Sequence, residues 1–178
     1  MIASKQFYSR YTPAVARDLA GCFLMCRQGN KLYKGMIIET EAYRGTHDLG
    51  CHASKGKTTR NAVMFGGSGH AYIYLIYGMY WMLNIVTEHK GYPAAVLIRC
   101  VLCFDENNKK TLLDGPGKLT KKFCITKRLN GCDMTKKQKL WIETPENKRR
   151  RKIIKMPRIG IGYARHCKHW RWNFRLEI

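Results

Sequence analysis

The stretch that most limits the fold is 71–87, AYIYLIYGMYWMLNIVT, which runs for 17 residues without a charged side chain or a histidine. Interrupted by Gly78 and Asn84 and studded with tyrosine, it is too short and too broken for a bilayer-spanning helix. Its aromatic and branched residues read as two strands, 71–76 and 81–86, joined through Tyr77-Gly78-Met79-Tyr80 as a hairpin with an aromatic, apolar tip.

Around that hairpin the chain alternates short elements. Tyr11-Thr12-Pro13 opens a helix carrying Ala14, Val15, Leu19 and Leu24 at near-helical spacing. After a turn at Gln28-Gly29-Asn30, residues 33–43 read as a strand, and period-2 alternation puts Glu39, Glu41 and Tyr43 on one face. Residues 44–69, with six glycines, form a long loop of the kind that tends to carry function. Residues 94–101 and 158–163 are expected as further strands and 119–125 as a weak helix. At 178 residues the expectation is one α+β domain spanning 1–178, built on a curved, mainly antiparallel sheet with a protruding hairpin.

Charge then limits the partner. Lys and Arg total 33 against 12 Asp and Glu, a net charge of +21, which repels itself unless a polyanion neutralises it. Three segments, 49–87, 115–132 and 147–176, contain no acid at all, and the last carries eleven basic residues. Converging on one face they would track a phosphate backbone; dispersed, they are a generally basic surface. The beginning of the chain has no continuous apolar stretch of a secretory signal, there is no Asn-x-Ser/Thr acceptor, and the eight cysteines are scattered. The expectation is an intracellular protein with reduced thiols, acting without a membrane. The run Lys148-Arg149-Arg150-Arg151-Lys152 reads either as a nuclear address or as a phosphate contact, so the compartment is cytoplasmic for a bacterial source and nuclear for a eukaryotic one.

Three constellations could carry chemistry. Glu41 sits at a strand end beside the glycine-rich loop, a rigid support with open access, and Arg99 in the 94–101 strand is its expected partner. This is either a general base with its cation or an ion pair tying two strands together. Tyr77 and Met79 at the hairpin tip suit a wedge between base steps; alternatively Tyr77 is, like Tyr72, Tyr74 and Tyr80, an ordinary core or interface aromatic. Cys100 and Cys103 with His166, Cys167 and His169 offer zinc ligands, but residues three apart on a strand point to opposite faces, so packing thiols and no metal are expected. Gly115-Pro116-Gly117-Lys118-Leu119 lacks the upstream Gly and following Ser or Thr of a nucleotide loop, and no zinc-deaminase signature is present.

The ordered strings IIETEAYRG, His52, TTRNAVMF, YIYLIYGMYWMLNIV, AAVLIR and DGPGKL together resemble the 3-methyladenine DNA glycosylases of the alkyladenine type, over nearly the whole chain. The resemblance implies a base-excision repair hydrolase that flips damaged purines out of duplex DNA. By it, Glu41 is the base that activates water and Arg99 helps hold that water. Tyr43, His52 and Tyr74 sandwich and hydrogen-bond the flipped base, and Asn84 crowds the exocyclic amine of normal guanine. Tyr77 intercalates through the minor groove with Met79 beside it. It further implies a monofunctional enzyme without lyase activity, without cofactor or metal, working as a monomer on 3-methyladenine and 7-methylguanine, with hypoxanthine and ethenoadenine as open cases. The ending GYARHCKHWRWNFRLEI and the loop Thr46-His47-Asp48 depart from the family pattern. A non-catalytic, basic nucleic-acid-binding protein is the alternative from another class.

Overall fold

The computed structural model describes residues 1–104, 109–146 and 152–178. Residues 148–151 of the basic run therefore lie outside the described residues. Two long antiparallel strands organise everything else: β2 (Lys31–Arg44), in chain order after β1 (Phe23–Gln28), and β5 (Ala94–Phe104), which follows the hairpin strands β3 (Ala71–Ile76) and β4 (Tyr80–Val86). β2 and β5 pair along most of their length, and each hands over from one outer neighbour to another midway. β1 flanks β2 as far as Met36, after which β9 (Asn173–Leu176) takes over at Glu39. On the other side β4 flanks β5 as far as Leu97, and β6 (Lys110–Asp114) takes over at Cys100. β7 (Leu140–Glu143) adds to β1 and β8 (Ile153–Met156) to β9, giving, among the described residues, a nine-stranded sheet that curls into the half-barrel of an α+β fold.

Both handovers coincide with compensating bulges. Ile37 pairs with Val101 but Glu39 with Cys100, which leaves Ile38 extra, and Thr40 then pairs with Ile98, which leaves Arg99 extra. Bulges re-aim side chains and often lie beside functional sites. Here they shift the phase of both strands. Ile37 and Val101 face the main core, as do Ala42, Val96 and Ile98 beyond the bulges, whereas Ile38, Cys100 and Leu102 pack in a separate cluster behind. Glu39, Glu41 and Tyr43 stay in phase with one another because the bulge precedes them, which is why simple alternation put them together.

The helices α1 (Lys5–Tyr8), α2 (Thr12–Leu19) and α3 (Pro116–Lys122) supply Tyr8, Val15, Leu19 and Leu119 to the core on one side of this sheet. Pro13 and Pro116 stand in the first turns of α2 and α3, where the missing N–H costs nothing. The helix expected from Thr12 onward, α2, ends sooner than its spacing suggested: Gly21, at φ +90°, turns the chain, and Leu24 belongs to β1. Residues 158–163 are a turn and not a strand, because Ile159 turns its backbone N–H to a side chain instead of a neighbouring strand. The loop at 44–69 contains two short 3-10 turns, His52–Lys55 and Ala62–Phe65. All eight cysteines are free, and Cys100 and Cys103 pack in different clusters, as expected for residues three apart. Among the described residues no helix is long and apolar enough to cross a membrane.

Gly35 marks where the sheet is tightest. A Cβ there would collide with Val101 Cγ1 and lie 3.1 Å from both Cys103 Sγ and the Phe123 ring. Gly35→Ala is expected to destabilise the fold by about 1–3 kcal/mol through overpacking, read as a lower urea midpoint with unchanged slope.

Candidate active site

On the face of the sheet away from the main core lies a cavity of about 220 Å³. Strand alternation builds its walls. Tyr72, Tyr74 and Ile76 come from β3, Met82 and Asn84 from β4, Ala95, Leu97 and Arg99 from β5, and Tyr43 from the end of β2. The glycine-rich loop adds Gly50, His52 and Met64, and the turn after β8 adds Ile159, Gly160, Ile161 and Tyr163. The volume is below the ~300–1,000 Å³ of sites for drug-sized ligands, and aromatic walls suit one flat group.

Glu41 is fully buried just behind this wall. Its Oε1 accepts the backbone N–H of Ile159 at 2.7 Å and the Asn173 amide at 3.1 Å, and its Oε2 accepts the Tyr43 hydroxyl at 2.7 Å. A carboxylate offers about four lone-pair sites, so one on Oε2 is left over. The expected Glu41–Arg99 pair is looser than the sequence suggested. Arg99 Nε hydrogen-bonds Glu39 Oε1 at 3.2 Å and stands 3.6 Å from Glu41 Oε1. Glu39, which sequence reasoning noted only by its face, is the second buried carboxylate of the cluster, shared by Asn173 at 2.6 Å and Arg175 at 3.0 Å. Burial and the neighbouring Glu41 push the Tyr43 hydroxyl well above the usual tyrosine range, which keeps it a donor.

Opposite, His52 Nδ1 lies 2.9 Å from the Tyr72 hydroxyl, and its ring meets Tyr74 edge-on at 4.4 Å. Loss of hydration and, secondarily, the charge of Arg60 lower the His52 pKa, so the neutral imidazole is favoured. Asn84 donates its amide to the backbone oxygens of Tyr72 at 3.2 Å and Met82 at 3.4 Å, which fixes its orientation. The cavity thus gathers Tyr43, His52, Tyr74, Asn84 and Arg99, with Glu41 behind them, and brings in Tyr72 and Tyr163, which sequence reasoning did not assign.

The hairpin tip stands at the mouth. Tyr77 is 82% exposed and Met79 66%, and Tyr77 holds φ at +52° beside Gly78 at +68°. A left-handed conformation is unfavourable for a bulky residue, so the tight turn presents the ring outward at some conformational cost. Both tip residues stand apart from the core, so Tyr77 is not a core aromatic; Tyr72, by contrast, is buried. Among the described residues no group of three His, Cys, Asp or Glu is placed to hold a metal ion.

Residues 6–177 match the model of a family described as methylpurine-DNA glycosylase. A protein of Methanocella arvoryzae is 44% identical over 184 residues, covering 97% of this chain and 91% of the relative. One from Legionella pneumophila (strain Paris) is 44% identical over 166 residues, covering 93% and 87%. Another from Ehrlichia chaffeensis is 43% identical over 171 residues, covering 96% and 92%. All three carry the name 3-methyladenine DNA glycosylase, given to them provisionally.

The electrostatics of His52 can be read by NMR titration. Its pKa is expected below ~6.5, and Arg60→Ala is expected to raise it. The sign for folding follows: because the folded state binds the proton less well, this group's contribution to stability falls as pH drops through the unfolded value toward the folded one. A value at or above the unfolded one would contradict the arrangement described.

Proposed function

This chain belongs to the methylpurine-DNA glycosylase family, and we propose that it excises alkylated purines from duplex DNA by hydrolysis at Glu41. The observation that carries the reading is the Glu41 carboxylate: buried, held by three donors that leave one acceptor position on Oε2 unused, and set directly behind the Tyr43 wall of an aromatic cavity.

A base inside the duplex is out of reach, so the nucleotide is extruded, at a cost of a few kcal/mol that is lower where damage has weakened pairing. Tyr77, exposed at the end of the hairpin, enters the minor groove with Met79 beside it and fills the vacated space. The base enters between Tyr43, His52 and Tyr74, and Asn84 closes the edge where guanine carries its amine. Water held by Arg99 and Glu41 gives its proton to the free Oε2 lone pair and its oxygen to the anomeric carbon. The N-glycosidic bond breaks with its electron pair going to the base. A 3-methyladenine or 7-methylguanine cation leaves neutral, whereas hypoxanthine or ethenoadenine needs a proton as it departs. Water being the nucleophile, no Schiff base forms and no strand-cleaving step follows. We take the enzyme to act as a monomer inside the cell. The surplus of exposed cations makes affinity for DNA fall steeply with salt.

The decisive test compares wild type with Glu41→Gln on methylated duplex DNA. Free-base release is expected to fall by about 10²-fold or more while damaged-duplex affinity is kept. Equal loss of binding and release, or undiminished release, would remove Glu41 from the chemistry. Tyr77→Ala is expected to weaken binding to damaged duplex while changing stability by less than about 0.5 kcal/mol, since the ring packs against solvent. Gel-shift titration and urea unfolding check the two halves separately.

A further inference from the structure

Arg158 was counted by sequence among the basic residues of an acid-free segment, yet its side chain is wholly buried. Burying a guanidinium is costly unless nearly every N–H is satisfied. Its Nη1 donates to Asp48 Oδ2 at 2.5 Å and to the backbone oxygen of Ala42 at 3.0 Å, and its Nη2 to Asp48 Oδ1 at 2.8 Å and the backbone oxygen of Cys167 at 3.2 Å. Asp48, equally buried, also accepts the backbone N–H groups of Arg44 and Gly50. The flat cation lies over the rings of Tyr43 at 4.8 Å and Trp172 at 5.3 Å, with Trp170 at 5.9 Å.

These contacts converge on Glu41 without touching it. Ala42 is the residue between Glu41 and Tyr43, and Ile159, next after Arg158, is the backbone donor to Glu41 Oε1. Tyr43, the ring beneath the guanidinium, is the donor to Oε2. One side chain therefore bears on the strand that carries Glu41 and on two of the three donors that hold its oxygens, one for each oxygen. Asp48 locks the fork and, through Gly50, shapes the loop that leads to His52.

We propose that the Arg158–Asp48 pair is a positioning device for the reaction, which holds Glu41 and Tyr43 at the cavity wall in the geometry that hydrolysis requires. The proposal rests on the reading of Glu41 given above. A fork of parallel donors is essential to it, because Lys could pair with Asp48 but could not also reach two backbone oxygens in one plane. Two simpler roles compete: a staple that contributes stability alone, and a cation turned out to meet a DNA phosphate.

The test uses the full chain as Asp48→Asn, Arg158→Met, the double Asp48→Asn/Arg158→Met, and Arg158→Lys. Each is measured for thermal midpoint, for affinity and salt slope on duplex DNA, and for single-turnover release of 7-methylguanine with enzyme in excess. The single neutralisations each leave a buried charge unpaired and are expected to lower the midpoint, and the double is expected to recover much of it. The rate is not expected to recover: release by the double variant and by Arg158→Lys should stay at least tenfold below wild type, with salt slope unchanged. In a Glu41→Gln background the double substitution should cost almost nothing further, because both act through one group. Wild-type release by either the double or the Lys variant would reduce the pair to a staple. A salt slope lowered by about one would make Arg158 a phosphate contact instead. Should Arg158→Met and the double fail to fold, Arg158→Lys, which keeps the buried charge paired, decides alone. Persistence of release in Glu41→Gln itself would overturn the underlying reading, whatever the Arg158 variants do.

Discussion

Burying two carboxylates side by side in one sheet is the constraint on which the rest of this structure turns. Glu39 and Glu41 lie one pleat apart on β2, both without solvent, and share the amide of Asn173 and the guanidinium of Arg99. Neither could be buried alone without several kcal/mol of uncompensated desolvation. The compensation comes from every part of the fold: β5 sends Arg99, β9 sends Asn173 and Arg175, and the turn after β8 sends the Ile159 N–H. The paired bulges at Ile38 and Arg99 let this polar knot interrupt a sheet that is apolar on both sides of it.

The same solution recurs wherever an acid is buried. Among the described residues the buried acids are Glu39, Glu41, Asp48 and Glu88, and each faces an arginine: Arg99 and Arg175, Arg99, Arg158 and Arg44 respectively. No lysine serves in this role, although lysine is abundant in the chain. A planar fork can satisfy a carboxylate and a backbone oxygen together, which a point charge on a flexible stem does less well. The positive charge therefore divides by chemistry, with several arginines locking the interior around the site and the lysines left for the surface, where a polyanion would meet them.

How much of this the sequence disclosed follows the same division. The long central strand and the tyrosine-rich hairpin were legible because their side chains alternate and their tip is marked by Gly78. Glu41, Tyr43, Tyr74, Asn84 and Arg99 fell on the cavity face for that reason, and the family resemblance singled out the same positions. What remained hidden was set by tertiary pairing. β1, β6, β7 and β9 are four to six residues long and carry lysine or arginine, glutamate or asparagine, so no local period separates them from loop. Arg158, buried, and Arg175, partly exposed, were indistinguishable from their neighbours in a basic run, since each is paired with an acid more than a hundred residues away. The same ambiguity explains the missed strand Ile153–Met156 and the strand wrongly expected at 158–163, where the backbone is committed to Glu41.

On the reading proposed for this site, selectivity for cationic purines does not rest on the tyrosine rings alone. A ring face attracts a cation by its quadrupole, but Tyr43 already carries Arg158 at 4.8 Å and Tyr74 already carries Arg60 at 5.1 Å. A base lying against these rings meets π-systems polarised toward protein cations, and the attraction left for its own charge is smaller than for a free ring. Negative charge near the cavity comes instead from the carboxylate behind Tyr43, whose hydroxyl points at it. On the reading proposed for this site, the preference for alkylated purines then lies chiefly in the chemistry of departure: a cationic base leaves neutral without an acid, whereas a normal purine would need a proton. His52, held toward its neutral form, is poorly placed to give one.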